Sequence, residues 1–128
     1  MQSQKLHRLE LDVMKVVWRL GKATVNEVRD ALKQPLAYTS VATTLNHLEK
    51  KGFLTHDVDG RAYVYRPLIQ ENEVSKSMLG DLLERLFDGS VERLVNTLLE
   101  TREISPEELE RLRESIITYR EEKGEWIS

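Results

Sequence analysis

The sequence predicts a mostly α-helical protein with one small β-hairpin near its middle. Three observations carry that expectation. Apolar residues recur at steps of three and four through most of the 128 residues, the spacing of amphipathic helices. One stretch, FLTHDVDGRAYVYRP, abandons that spacing for two β-rich runs on either side of Asp59-Gly60. Capping residues, glycines and prolines punctuate the rest at intervals that divide it into short helices.

The elements follow in order. In LHRLELDVMKVVWRLG, Leu6, Leu9, Val13, Val16, Val17 and Leu20 form one stripe, Trp18 falls near it as a core residue, and Gly21 is a stop. In ATVNEVRDALKQP, Thr24 with Glu27 three positions on is a capping-box pattern. Val25, Val28 and Leu32 form the buried face, and Pro35 prevents a long continuation. The third helix is YTSVATTLNHLEKKG, where Thr39 or Ser40 can supply the cap and Gly52 ends the run. Val41, Leu45 and Leu48 point inward; Thr39, Ala42, Thr43, Asn46, His47 and Lys50 point outward.

The hairpin follows. Phe53 to Val58 and Arg61 to Arg66 are the strands, and Asp59-Gly60 between them is a strong turn signal. A short strand near Ala23-Thr24 can complete the sheet. From Leu68 the chain is helical again. One helix covers about Gln70 to Phe87 and is broken at Gly89; a second starts at Ser90. A third is capped by Ser105, with Pro106 at its first position and Glu108 closing a capping box.

Composition narrows the function. Charged residues make up 32% of the chain, which describes a soluble, helix-rich protein. With no cysteine, disulfides, thiol catalysis and thiolate metal sites are excluded. The N-terminus MQSQKLHRLELD lacks the apolar core of a signal peptide, and no stretch approaches a membrane span. Residues 1–67 carry eleven Lys+Arg against seven Asp+Glu, and residues 68–128 carry eight against fifteen. A basic half joined to an acidic half suggests one surface for a polyanion and another for a different task.

Three helices and a hairpin, with the second and third helices joined by a short connection, make a winged helix-turn-helix over residues 1–67. The remainder, 68–128, is a three-helix domain. The outward face of the third helix (Thr39, Ser40, Ala42, Thr43, Asn46, His47, Lys50) then faces base edges in a major groove. Arg61, Tyr63 and Tyr65 of the wing, with Arg66, reach backbone phosphates or the adjacent minor groove. The competing reading is that the same polar face is simply solvated and that the winged helix is a protein-interaction module without a DNA role. The three helices after residue 68 carry more Leu, Val and Ile than so small a unit can bury, which favours pairing with a second copy. The face assigned to dimerisation is Met78, Leu82, Leu86, Leu94, Leu98, Leu112 and Ile116.

No catalytic constellation is expected, and no cofactor. His7, His47 and His56 are scattered, so no metal site is expected either. Glu107, Glu108, Glu110 and Glu114 make a solvated helix face supported by Arg111.

The blocks LELDVMKVVW, ATVNEV, AYTSVATTLNHLEKKGFL, GRAYVYRPL, FDGSVERLV and ISPEELERLR carry a resemblance that runs almost end to end. The sequence resembles the penicillinase-repressor family, the BlaI/MecI/CopY transcriptional regulators. The resemblance implies a cytoplasmic homodimeric repressor, an N-terminal winged helix on double-stranded operator DNA with a TACA…TGTA inverted repeat, and a C-terminal helical dimerisation domain. It also marks departures. Ala42 and His47 stand where family members often carry arginine. Staphylococcal members are relieved by proteolysis at an Asn-Phe bond, in response to a membrane-bound sensor protease. The matching bond here is Thr97-Leu98, with Asn96 one position early. Copper-responsive members carry a cysteine-rich tail, whereas this chain ends EEKGEWIS, so copper sensing by that route is excluded.

Overall fold

The computed structural model of the protein describes residues 6–124. The first five residues of the N-terminal stretch MQSQKLHRLELD, and the last four of the tail EEKGEWIS, lie outside the described residues. The chain forms α1 (Arg8–Leu20), α2 (Val25–Ala31), α3 (Tyr38–Lys50), β1 (Leu54–Asp59), β2 (Ala62–Pro67), α4 (Glu71–Phe87), α5 (Val91–Thr101) and α6 (Pro106–Glu122). No helix among the described residues is long and apolar enough to cross a membrane.

Packing divides the chain into two compact units, one through Asp81 and one from Leu82. The first is built on a sealed core. Val13, Met14, Val17, Val28, Val41, Leu45, Leu48 and Leu54 are essentially inaccessible. They come from the stripes of α1, α2 and α3 and from the first residue of β1, so each helix turns one face inward and leaves the other wet. Trp18 is partly buried against this core, and its indole N–H donates to the Ile69 carbonyl at 2.9 Å. Val74 is buried in the same core, and Lys15 meets Glu71 at 3.0 Å. The packing of the first unit therefore continues past Pro67, where the composition changes, into α4.

Helix ends follow local chemistry. Thr24 Oγ1 accepts from the Glu27 N–H at 3.2 Å, and Glu27 Oε1 accepts from the Thr24 N–H at 2.9 Å, a complete capping box. Ser105 Oγ accepts from the Glu108 N–H at 3.1 Å, so Ser105 caps α6 as expected; no return bond from the Glu108 carboxylate is present among the described residues. The α3 cap differs from expectation. The N-cap is Ala37, and Thr39 and Ser40 lie inside the first turn. Ala37 has no side-chain acceptor, so first-turn N–H groups of α3 stay available to solvent or a ligand.

β1 and β2 are antiparallel, with Asp59 opposite Ala62 and His56 opposite Tyr65. The two turn residues are thus Gly60-Arg61, one step later than the sequence suggested. Gly60 has φ +64° while Arg61 keeps a negative φ, the signature of a type II′ turn. The third strand of the sheet is a single bridge: Ala23 and Tyr65 exchange two backbone bonds of 2.8 Å.

In the second unit, Asp88 and Gly89 both adopt positive φ, 52° and 79°, which ends α4, and Ser90 caps α5. Phe87 is buried, and the apolar residues of α5 and α6 are not: neither helix has a buried residue.

Candidate nucleic-acid interface

The candidate interface is the outer face of α3 together with the wing. Val41, Thr44, Leu45 and Leu48 are buried, which fixes the rotation of α3 and turns Thr39, Ser40, Thr43, Asn46, His47 and Lys50 outward. Thr44 donates its hydroxyl proton to the Ser40 carbonyl at 2.9 Å and is spent within the helix. No side chain of Thr39, Thr43, Asn46 or His47 forms a hydrogen bond within the described residues. Their donors and acceptors are therefore available to base edges. Ala42 is partly buried against the core, so it supplies a flat surface and no reach.

The wing is more divided than its sequence suggested. Arg61, at the turn, is exposed and has no ion pair among the described residues. Tyr63 is half exposed. Tyr65 is 5% exposed and belongs to the core, so little of its surface is left to face DNA, although it still lines the concavity beside Tyr63. The reason is the bridge to Ala23, a long-range pairing that draws the base of β2 inward. Burial pushes the Tyr65 hydroxyl above its ordinary pKa, and the Glu49 carboxylate, Tyr63 and Tyr38 add to the effect, so the phenol stays neutral. Arg66 is also redirected. Its Nε donates to Asp57 at 3.1 Å on the hairpin face opposite His56 and Tyr65.

Tyr38, missed from sequence, lines the interface. It is 48% exposed at the first turn of α3. With Ala42 on the helix, Asn26 on α2, and Arg61 and Tyr63 on the wing, it surrounds a concavity of about 600 Å³. Its aromatic ring ahead of a hydroxyl-rich helix start was the available signal, since Tyr offers apolar area and a polar tip together.

Behind the interface, Glu10 receives the Lys51 ammonium at 2.8 Å and the His7 N–H at 2.9 Å. Burial alone raises the Glu10 carboxyl. The Lys51 and His7 hydrogen bonds, with the Lys51 and His7 charges, outweigh that, and its pKa is lowered. Lys51 thereby ties the end of α3 to the start of α1. The three histidines are dispersed: His7 caps α1, His47 is exposed on α3 and His56 is on the wing. No group of three or more His, Asp or Glu arranged to hold a metal occurs among the described residues.

A tri-helical core that presents the second helix of a helix-turn-helix outward, flanked by a β-hairpin, defines a winged-helix protein. Residues 6–118 match the family described as Penicillinase repressor, and the chain belongs to that family. The penicillinase repressor of Bacillus licheniformis is 32% identical over 91% of this chain and 92% of its own length. The methicillin resistance regulatory protein MecI of Staphylococcus aureus is 22% identical over 88% of this chain and 93% of its own. The solution structure of the DNA binding domain of the repressor BlaI, 36% identical, superposes with a TM-score of 0.51, covering 57% of this chain and 93% of that one.

Proposed function

We propose that this protein is a sequence-specific transcriptional repressor that binds double-stranded operator DNA. The observation that carries the reading is the outer face of α3, where Thr39, Thr43, Asn46 and His47 are exposed and their side chains form no hydrogen bond among the described residues. A helix of this kind fits the major groove, where such side chains discriminate base pairs. Arg61 and Tyr63 serve the adjacent phosphates, and Lys50 adds charge at the helix end. The chain acts in the cytoplasm, as a homodimer on an inverted repeat, with residues 1–67 as the DNA-binding part and 68–128 as the dimerisation part. Exposed Met78, Leu82, Leu86, Leu98, Leu112 and Ile116, with half-buried Leu94, supply the dimer surface. Two-fold pairing then matches a two-fold operator.

Relief of repression is assigned to an inducing signal, by proteolysis at Thr97-Leu98 through a membrane-bound sensor protease. The bond lies inside α5, so the helix must open locally before it is cut. Incubation with the cognate protease under inducing conditions tests this step; a chain that stays intact refutes it.

The function itself is tested by fluorescence anisotropy with a duplex carrying a TACA…TGTA inverted repeat and with a scrambled duplex, at two salt concentrations. Binding that is tighter for the repeat and weakened by salt is expected. Equal affinity for both duplexes contradicts sequence readout. No binding at low salt favours a protein-interaction role.

A further inference from the structure

The wing has a fixed attachment to α3 through Glu49 and His56, two residues outside the groups expected to touch DNA. His56, in β1, places its Nδ1 2.8 Å and 2.9 Å from the two carboxylate oxygens of Glu49, in α3. The same imidazole stacks on Tyr63 with ring centroids 4.1 Å apart and planes 15° from parallel. It also leans on Tyr65 at 5.5 Å. Three elements meet in one chain of contacts: α3 through Glu49, β1 through His56, and β2 through Tyr63.

That chain answers a physical problem. A two-stranded hairpin is marginal by itself, and the outer half of this one, from Val58 to Tyr63, is exposed. The Ala23–Tyr65 bridge holds only its base. An exposed ion pair contributes little. Here both side chains are only 27% exposed, the carboxylate is engaged through both oxygens, and one face of the imidazole is covered by its stack on Tyr63. Glu49 sits one residue before Lys50 on α3, and Tyr63 sits two residues beyond Arg61. A tie between Glu49 and Tyr63 through His56 therefore fixes the spacing between the helix face and the wing tip.

We propose that Glu49 and His56 are positioning residues that set the wing relative to α3, so that Arg61 and Tyr63 meet the same duplex that α3 reads. The proposal rests on the DNA-binding reading above. It assigns no DNA contact to either residue; both act through the wing.

A double-mutant cycle with the full chain and the inverted-repeat duplex tests it. Arg61→Ala and Tyr63→Ala are measured by anisotropy in the wild-type and His56→Ala backgrounds, with Thr43→Ala as the α3 control. The expected result is that each wing substitution costs about fivefold in the wild type and less than about twofold in His56→Ala, whereas Thr43→Ala keeps its full effect in both. Glu49→Ala is expected to reproduce the His56→Ala pattern, and Glu49→Gln, which keeps an acceptor for the imidazole, is expected to preserve wild-type coupling. Thermal melts establish that each variant is folded; should His56→Ala unfold, the Glu49→Ala background carries the cycle. Wing effects that are equal in both backgrounds, or absent in the wild type, overturn the anchor while leaving DNA binding intact. Loss of duplex binding by the wild type itself overturns the DNA-binding reading and the anchor with it.

Discussion

Leu45 and Leu98 both lie on the apolar stripes of short helices, yet Leu45 is fully sealed and Leu98 is half exposed. The contrast holds for their surroundings. Through Asp81 the chain closes α1, α2, α3 and the hairpin around one core, with Trp18, Lys15 and Glu10 each tied by a named partner. From Leu82 onward, Leu86, Val91, Val95, Leu98, Leu99, Leu109, Leu112 and Ile116 remain exposed, Ile116 at 67%. In the proposed dimer these exposed apolar side chains are the surface that the partner copy covers. The first unit has a closed core of its own, whereas α5 and α6 have no buried residue among those described.

The largest expected effect sharpens the first half of this contrast. Leu45→Ala leaves a cavity in a closed core and is expected to destabilise the first unit by about 2–5 kcal/mol, measured by urea denaturation. A cost under about 1 kcal/mol means that the core is looser than its burial indicates. Leu98→Asp addresses the other half. It is expected to weaken self-association by roughly tenfold or more, read by sedimentation equilibrium, while barely changing the unfolding of the first unit. An unchanged association constant removes Leu98 from the paired surface.

Smaller effects belong to the interface. Thr43→Ala or Asn46→Ala is expected to relax preference at one base pair by about 1–3 kcal/mol. Equal losses on operator and scrambled duplexes refute direct readout by those residues. Glu10→Gln is expected to cost roughly 1–2 kcal/mol at neutral pH, because it strips the charge that receives Lys51. The folded Glu10 pKa is lowered, so its contribution is present above the unfolded carboxyl's pKa and is lost as pH falls through the folded value. The gap between wild type and Glu10→Gln therefore closes on acidification; a gap that widens contradicts the pairing. Last, Arg61→Ala is expected to reduce the salt slope of binding by about one while lowering affinity for all duplexes alike.

What was legible in the sequence was what local chemistry decides. The stripes of α1 and α3, the Thr24–Glu27 box, the Ser105 cap and the hairpin all depend on residues a few positions apart. What was not legible depends on partners far along the chain. Tyr65 reads as an exposed wing residue until Ala23 pairs with it. Arg66 reads as a phosphate contact until the register sets it beside Asp57. Glu49 reads as one more helix carboxylate until β1 brings His56 to it. The start of α3 was also misplaced: Thr39 and Ser40 are good caps locally, but the helix begins earlier, at Tyr38, behind Ala37. The tripartite interface of α3 face, wing turn and Tyr38 was therefore half visible, with its hydroxyl-rich helix legible and its wing only partly so.

In the proposed assembly two copies pair through residues 68–128, so that two winged helices meet one duplex. Sedimentation velocity of the full chain, alone and with the inverted-repeat duplex, tests it most directly. The account predicts a free species at twice the chain mass and a complex of two chains per duplex. A monomer that binds the repeat one chain at a time, with no dimer at any concentration, would contradict it.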